Sequence, residues 1–183
     1  MRVQMKLFLA GICSLLAIPL PSYSATSLSA AQSTCALPDT LTHGLDVKFP
    51  DMHVVSLADL KNKDDQQQFQ KEHRDGCPGL VHLDFYGSGH DVIAMSLVSN
   101  LQRRPARLVV ATMAEGKWKI TLVDSAKTNT PVVWSEQPDR YPDVQGNGSI
   151  TARNPVIVWC AFDSWAIAYA WTGSSISKVW LAD

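Results

Sequence analysis

The chain has 183 residues, is 46% hydrophobic and carries a formal charge of −1, with 16 basic against 17 acidic side chains. That length suits one domain with its own core, and the balanced charge excludes the basic surface that a nucleic acid partner requires. Four cysteines in a chain of this size make the redox compartment a first question.

The N-terminus bears on that question. Arg2 and Lys6 flank the start of an apolar stretch of 14 residues, 7–20, followed by Pro21, Ser22, Tyr23, Ser24 and Ala25. A basic start, an apolar middle and small residues at the end form the pattern of a secretory signal. The stretch falls short of the about 20 residues that a spanning helix needs, and Pro19 and Pro21 break its end. Residues 1–25 are therefore expected to be a signal peptide cut after Ser24 or Ala25, with Ala30-Ala31 as a later alternative. No membrane span is expected once it is removed, and the expected location is periplasmic or secreted. Leu9-Ala10-Gly11-Ile12-Cys13 has the outline of a lipoprotein box, but Ile12 stands where a small residue should precede the cysteine. Removing 25 of 183 residues leaves 158, with 14 basic and 17 acidic side chains, a net −3. Arg103 and Arg104 with Arg107 make the only basic cluster, read first as a solvated loop ahead of a strand and second as an anion site.

Cys35, Cys77 and Cys160 remain in the expected mature chain. The first two sit among polar, turn-forming residues, whereas Cys160 lies inside the apolar run 156–162, so a Cys35–Cys77 bridge is expected. Closing a loop of about 40 residues contributes roughly 3–4 kcal/mol in the chain-entropy view. Cys160 then reads as a small buried hydrophobe.

Residues 26–34 are Ser, Thr, Ala and Gln and read as a flexible leader; 35–183 read as a single β-rich domain. Ser56-Leu57-Ala58-Asp59 is a capping-box variant, and the polar stretch 61–75 predicts one or two short surface helices ended by Gly76. From Cys77-Pro78-Gly79 onward, short apolar runs alternate with turn residues every eight to twelve positions, as in an antiparallel sheet. Strands are predicted over 80–85, 92–98, 107–113, 118–123, 132–135, 156–162, 165–171 and 176–181. Residues 99–106 and 136–149 read as long polar loops. Nothing suggests parallel crossovers, so the expected fold is α+β to mainly β: an antiparallel meander of about seven strands beside a short helical N-terminal segment.

Trp165, Ile167, Tyr169 and Trp171 share one strand face. They read as core first, because Ala166, Ala168 and Ala170 behind them are also able to pack; a sugar-stacking platform is the alternative.

The most informative stretch is Leu83-Asp84-Phe85-Tyr86-Gly87-Ser88-Gly89-His90-Asp91-Val92. It resembles the strand, glycine loop, strand unit of FG-GAP or VCBS-type repeats, in which carboxylates at alternate loop positions ligate calcium. Asp84 matches the first ligand, but Tyr86 and Ser88 replace the next two and Asp91 falls one residue early. Calcium requires six or more oxygens, so the resemblance implies a turn kept, with Gly87 and Gly89 free to take positive φ, and a metal lost. Over 77–183 the succession of this loop, Arg107-Leu108-Val109-Val110-Ala111, Asp163-Ser164-Trp165 and Lys178-Val179-Trp180-Leu181 is similar to a group of small exported bacterial proteins of unassigned function. That resemblance implies a fold and a compartment and supplies no catalytic residues.

Enzymatic sites are incomplete. His43, His53, His73, His82 and His90 lack zinc spacing, and neither a nucleophile elbow nor a phosphate loop is present, so no metal and no cofactor are expected. His82 and Asp84 share a strand face near Ser88 and His90, which makes a hydrolase on His82 and Asp84 the best catalytic alternative. The leading expectation is a non-enzymatic module that binds another protein of the cell envelope, as an inhibitor or immunity protein does. Arg140, Tyr141, Arg103 and Arg104 are the expected contacts, because loops on a rigid scaffold carry recognition and Arg and Tyr dominate interface energetics. A glycan- or wall-binding domain using Trp118, Trp134, Trp165 and Trp171 is the second reading.

Overall fold

The computed structural model describes residues 35–101, 105–127 and 130–182. The expected signal peptide and leader, and Arg103 and Arg104, lie outside the described residues. Among those described, no helix is long and apolar enough to cross a membrane.

The first element is a helix that sequence patterning overlooks. Helix α1, Asp39–Lys48, places Asp39 in its first turn and Lys48 in its last, in keeping with the helix dipole, and buries Leu41 and Leu45 one turn apart. Thr40, Thr42, His43 and Gly44 are poor helix formers, so tertiary packing outweighs propensity here. Strand β1 follows at Met52–Val54. The Ser56 capping box forms, with the Asp59 carboxylate accepting from the Ser56 N–H at 2.8 Å, but it opens only a 3-10 turn, Leu57–Asp59. Helix α2, Lys63–His73, is capped by Asn62 and ends at Arg74 rather than Gly76.

Ten more strands follow among the described residues: β2 Leu80–Leu83, β3 Val92–Ser99, β4 Ala106–Ala114, β5 Lys117–Ala126, β6 Val132–Glu136, β7 Arg140–Pro142, β8 Ser149–Thr151, β9 Val156–Ala161, β10 Trp165–Trp171 and β11 Ile176–Ala182. The fold is mostly β and antiparallel, as expected, but eleven strands in three sheets replace the meander of about seven. Sheet I runs β3-β4-β5, with β1 and β2 end to end along the free side of β3. Sheet II has the order β11-β10-β9-β6, and β7-β8 form a small ribbon that begins inside the expected loop 136–149 and ends two residues beyond it. Alternation identifies strands, but which strands neighbour each other is decided by the faces that need covering.

Those faces are two-sided. Strand β3 turns Val92 and Ala94 toward sheet II, and Ile93, Met95 and Leu97 toward α1. Strand β9 likewise puts Ile157 and Trp159 between the sheets, while Val156 and Val158 lie under the β7-β8 ribbon and Cys160 under α2. Central strands apolar on both faces force a layered sandwich, because a single open sheet would leave one face in water. Cys35 and Cys77 are bonded with Cα atoms 5.4 Å apart, tying the start of α1 to β2, and Cys160 is a free buried thiol.

Ser96 joins the parts. Its N–H donates to the Gly79 carbonyl at 2.9 Å and its carbonyl accepts from Val55 N–H at 3.0 Å, stitching β2 and β1 to β3. A Cβ on Gly79 would lie 2.4 Å from the Val55 carbonyl oxygen, so only glycine allows the two short strands to meet there. The Ser96 hydroxyl, fully buried, donates to the Pro131 carbonyl at 2.6 Å and accepts from Trp159 Nε1 at 2.8 Å, crossing to sheet II. On the opposite side, Asp124 of β5 accepts from Tyr169 Oη at 2.8 Å and Lys178 Nζ at 2.6 Å. Burial works against the Asp124 anion, but these bonds and one from Ser125 N–H outweigh it and hold the carboxyl below its usual range. We predict that Ser96→Ala, which orphans a buried N–H and a buried carbonyl, costs about 2–4 kcal/mol. Urea unfolding with an unchanged m value checks it, and a loss well under 1 kcal/mol would contradict it.

Candidate functional site

The sandwich is closed at its middle and open at its end. On sheet I the inward positions Leu108 and Val110 are apolar, but the next ones along the β4-β5 hairpin are Thr112, Thr121 and Lys119. Sheet II contributes Trp171 at the end of β10 and Ile176 at the start of β11. Between them lies a cleft of about 580 Å³, within the range of ordinary ligand and anchor-residue pockets.

The turn between β2 and β3 forms the cleft's third wall. Tyr86 packs edge-on against Trp171, with centroids 5.0 Å apart and planes at 84°, and against Phe85 at 5.1 Å. Burial pushes the Tyr86 phenol above its usual range. Ser88, His90 and Asp91 stand on the rim, all exposed. Gly87 and Gly89 take φ of 66° and 74°, and Asn154 occupies the space where a Gly87 side chain would begin.

The acidic residues of this turn are engaged within the fold. Asp84 accepts from the backbone N–H of Ser88 at 3.0 Å and of Gly89 at 2.9 Å, so its carboxylate caps the turn. Asp91 Oδ2 pairs with His82 Nδ1 at 2.5 Å across the β2-β3 pair. His82 therefore meets Asp91 and not Asp84, and among the described residues no serine, threonine or cysteine hydrogen-bonds its ring. An oriented imidazole without a nucleophile is a surface ion pair, contributing about 0–1 kcal/mol. Among the described residues no group of three His, Cys, Asp or Glu is placed to hold a metal ion.

Other sequence-picked residues fall elsewhere. Arg140 is exposed on β7 with its Nε donating to Ser149 Oγ at 3.0 Å, and Tyr141 donates its hydroxyl to the Gln137 carbonyl while packing over sheet II. Both belong to the ribbon that covers the outer core. The four tryptophans of the glycan reading are each half-buried and disperse: Trp118 under α1, bonded to Thr40; Trp134 outside sheet II; Trp165 between the sheets, at 67° to Trp159; Trp171 in the cleft. Trp165 and Trp171 share the inward face of β10 but stand at its two ends with Ile167 and Tyr169 between them, and Trp118 and Trp134 lie on other faces, so the four form no single platform. A second cleft of about 750 Å³ at the other end includes His53, Asp59 and Asp163, and its rim residues Leu101, Lys127 and Thr130 flank segments outside the described residues.

Sequence reading missed Thr112, Lys119, Thr121 and Ile176 as lining residues. A signal existed: polar residues at inward positions of a strand whose earlier inward positions are all apolar mark where a core stops. No protein-family model, curated protein or solved structure matches this chain.

Because Asp84 spends its oxygens on amides, millimolar calcium is expected to leave the melting midpoint unchanged, whereas Asp84→Ala lowers stability by about 1–2 kcal/mol. A calcium-dependent rise of several degrees, read by calorimetry with and without chelator, would assign the loop an ion after all.

Proposed function

We propose that this chain is an exported protein-binding module of the cell envelope, acting as an inhibitor or immunity protein, and that the end cleft receives an anchor side chain of its partner. The cleft carries the reading: a preformed pocket with an aromatic floor at Tyr86 and Trp171, apolar walls at Ile176 and Val92, and a polar rim at His90, Asp91 and Lys119. Interfaces place an apolar or aromatic anchor in such a pocket and surround it with polar groups that exclude water. The β2-β3 turn, read as a degenerate FG-GAP/VCBS-like loop in which Asp84 caps the backbone and Asp91 pairs with His82, supports binding over metal chemistry. The Cys35–Cys77 bond supports an oxidising compartment, in line with the signal pattern of residues 1–25.

A wall glycan is the second reading. Tyr86 and Trp171 favour it only as a pair, and their edge-on packing offers a sugar one ring face rather than two.

A photo-crosslinking residue placed at exposed Met113, on the cleft rim, tests the proposal in envelope extracts. The expected result is a discrete protein adduct that disappears in Trp171→Ala, with an affinity loss of about 2 kcal/mol, or roughly 30-fold. An adduct of unchanged yield in both Trp171→Ala and Tyr86→Ala rules the cleft out. Displacement by soluble wall fragments in place of a protein adduct selects the glycan reading.

A further inference from the structure

Helix α2 is held to sheet II by very little. Of its 11 residues only Phe69 is buried, entering a pocket made by Val55, Leu60, Val132 and Cys160. The other attachments are Gln66, whose Nε2 donates to the Leu60 carbonyl at 2.6 Å, and His73, whose ring lies 4.9 Å from that of Phe69 and 4.7 Å from that of Trp134. His73 Nε2 is buried without a hydrogen-bond partner, and the Trp134 Nε1 donates instead to Glu136 Oε1 at 2.9 Å.

The chain leaving α2 is under strain. Arg74 takes φ 37° and ψ −97°, a region costly for any residue with a side chain. Two residues on, the backbone folds back so closely that a Cβ on Gly76 would lie 2.9 Å from the His73 carbonyl. Beneath the helix lies Cys160, a free thiol pushed up to about 12 by burial first and then by Glu72, Asp65 and Asp163.

We infer that α2 is an acid-released cover: protonation of His73 undocks the helix from sheet II and uncovers Cys160 with the apolar patch around it. The charged groups facing the His73 ring are Glu72 on α2 and Glu136 on β6; Leu80, Val81 and the bonded Cys77 complete its surroundings without charge. Burial outweighs both carboxylates and pushes His73 below its usual range, so the docked helix prefers neutral imidazole. Docking is therefore fully stable above the free-histidine value of about 6.5 and weakens as pH falls through it toward the lower docked value. A cation between two aromatic rings recovers about 1 kcal/mol. Burying a charged N–H with no acceptor costs more than that, so release wins.

The test uses the full chain with its disulfide intact. The rate at which 4,4′-dithiodipyridine modifies Cys160, taken relative to glutathione at the same pH, is expected to rise about tenfold between about pH 7.5 and about pH 5. Over the same interval α2 amides lose hydrogen-exchange protection, corrected for intrinsic rates, while β3 amides keep theirs. His73→Phe keeps the ring and cannot be protonated, so its ratio stays flat. A flat ratio in the wild type overturns the inference, as does an acid rise that persists in His73→Phe or a loss of β3 protection together with α2. Should His73→Phe fail to fold, unchanged α2 protection across the pH range in the wild type overturns it alone.

Discussion

The architecture depends on the hydrogen bonds that converge on Ser96. Apolar contact between two sheets is non-directional and would tolerate sliding, so burial alone does not fix their relative register. The Ser96 hydroxyl does, because it sits at the centre of β3 and bonds both the Pro131 carbonyl and Trp159 Nε1 where no water can substitute. Its backbone meanwhile closes the joint at which β1 and β2 share one partner strand. A hydroxyl at this position costs desolvation, and it is tolerated because every one of its polar atoms has a partner.

The cleft is a consequence of where this closure stops. Ser96 and the Asp124–Tyr169–Lys178 clasp hold the sheets together at mid-length, one toward each side of the sandwich. Toward the β4-β5 hairpin the inward residues become Thr112, Thr121 and Lys119, which gain nothing by meeting Trp171 and Ile176, and the sheets part. The turn after β2 is stiffened by Asp84 and by two glycines at positive φ, so the third wall is preformed. The histidine nearest this turn, His82, is engaged in an exposed pair with Asp91.

The two helical covers are unequal. Helix α1 contributes Leu41 and Leu45 to a core that includes Met95 and Val109, and the Cys35–Cys77 bond fastens the segment leading into it. Helix α2 contributes Phe69 and a histidine whose Nε2 lacks a hydrogen-bond partner, and it leaves through a strained residue. Of the two helical covers, α2 is therefore the one whose local opening disturbs the fewest buried contacts.

Much of the sheet content was legible in the sequence, and particular residues show why. Apolar runs between turn residues located β4, β10 and β11 to within one residue and β5 to within three, since the hairpin turns carry Glu115-Gly116 and Gly173 at positive φ. The Trp165 to Trp171 stripe read correctly as core-facing because small alanines back it. Cys160, set in an apolar run, and Cys35 and Cys77, set in turns, separated by surroundings alone. What the sequence hid was non-local. Helix α1 is built from poor helix formers and exists because sheet I needs a cover; β1, β7 and β8 are three residues each, too short for a period to register. The partner of His82, the division into two main sheets and the cleft itself all depend on contacts between residues far apart in the chain. Local patterning determined which segments extend and which side chains share a face; only the tertiary structure decided which faces meet, because burial is satisfied between elements and not within them.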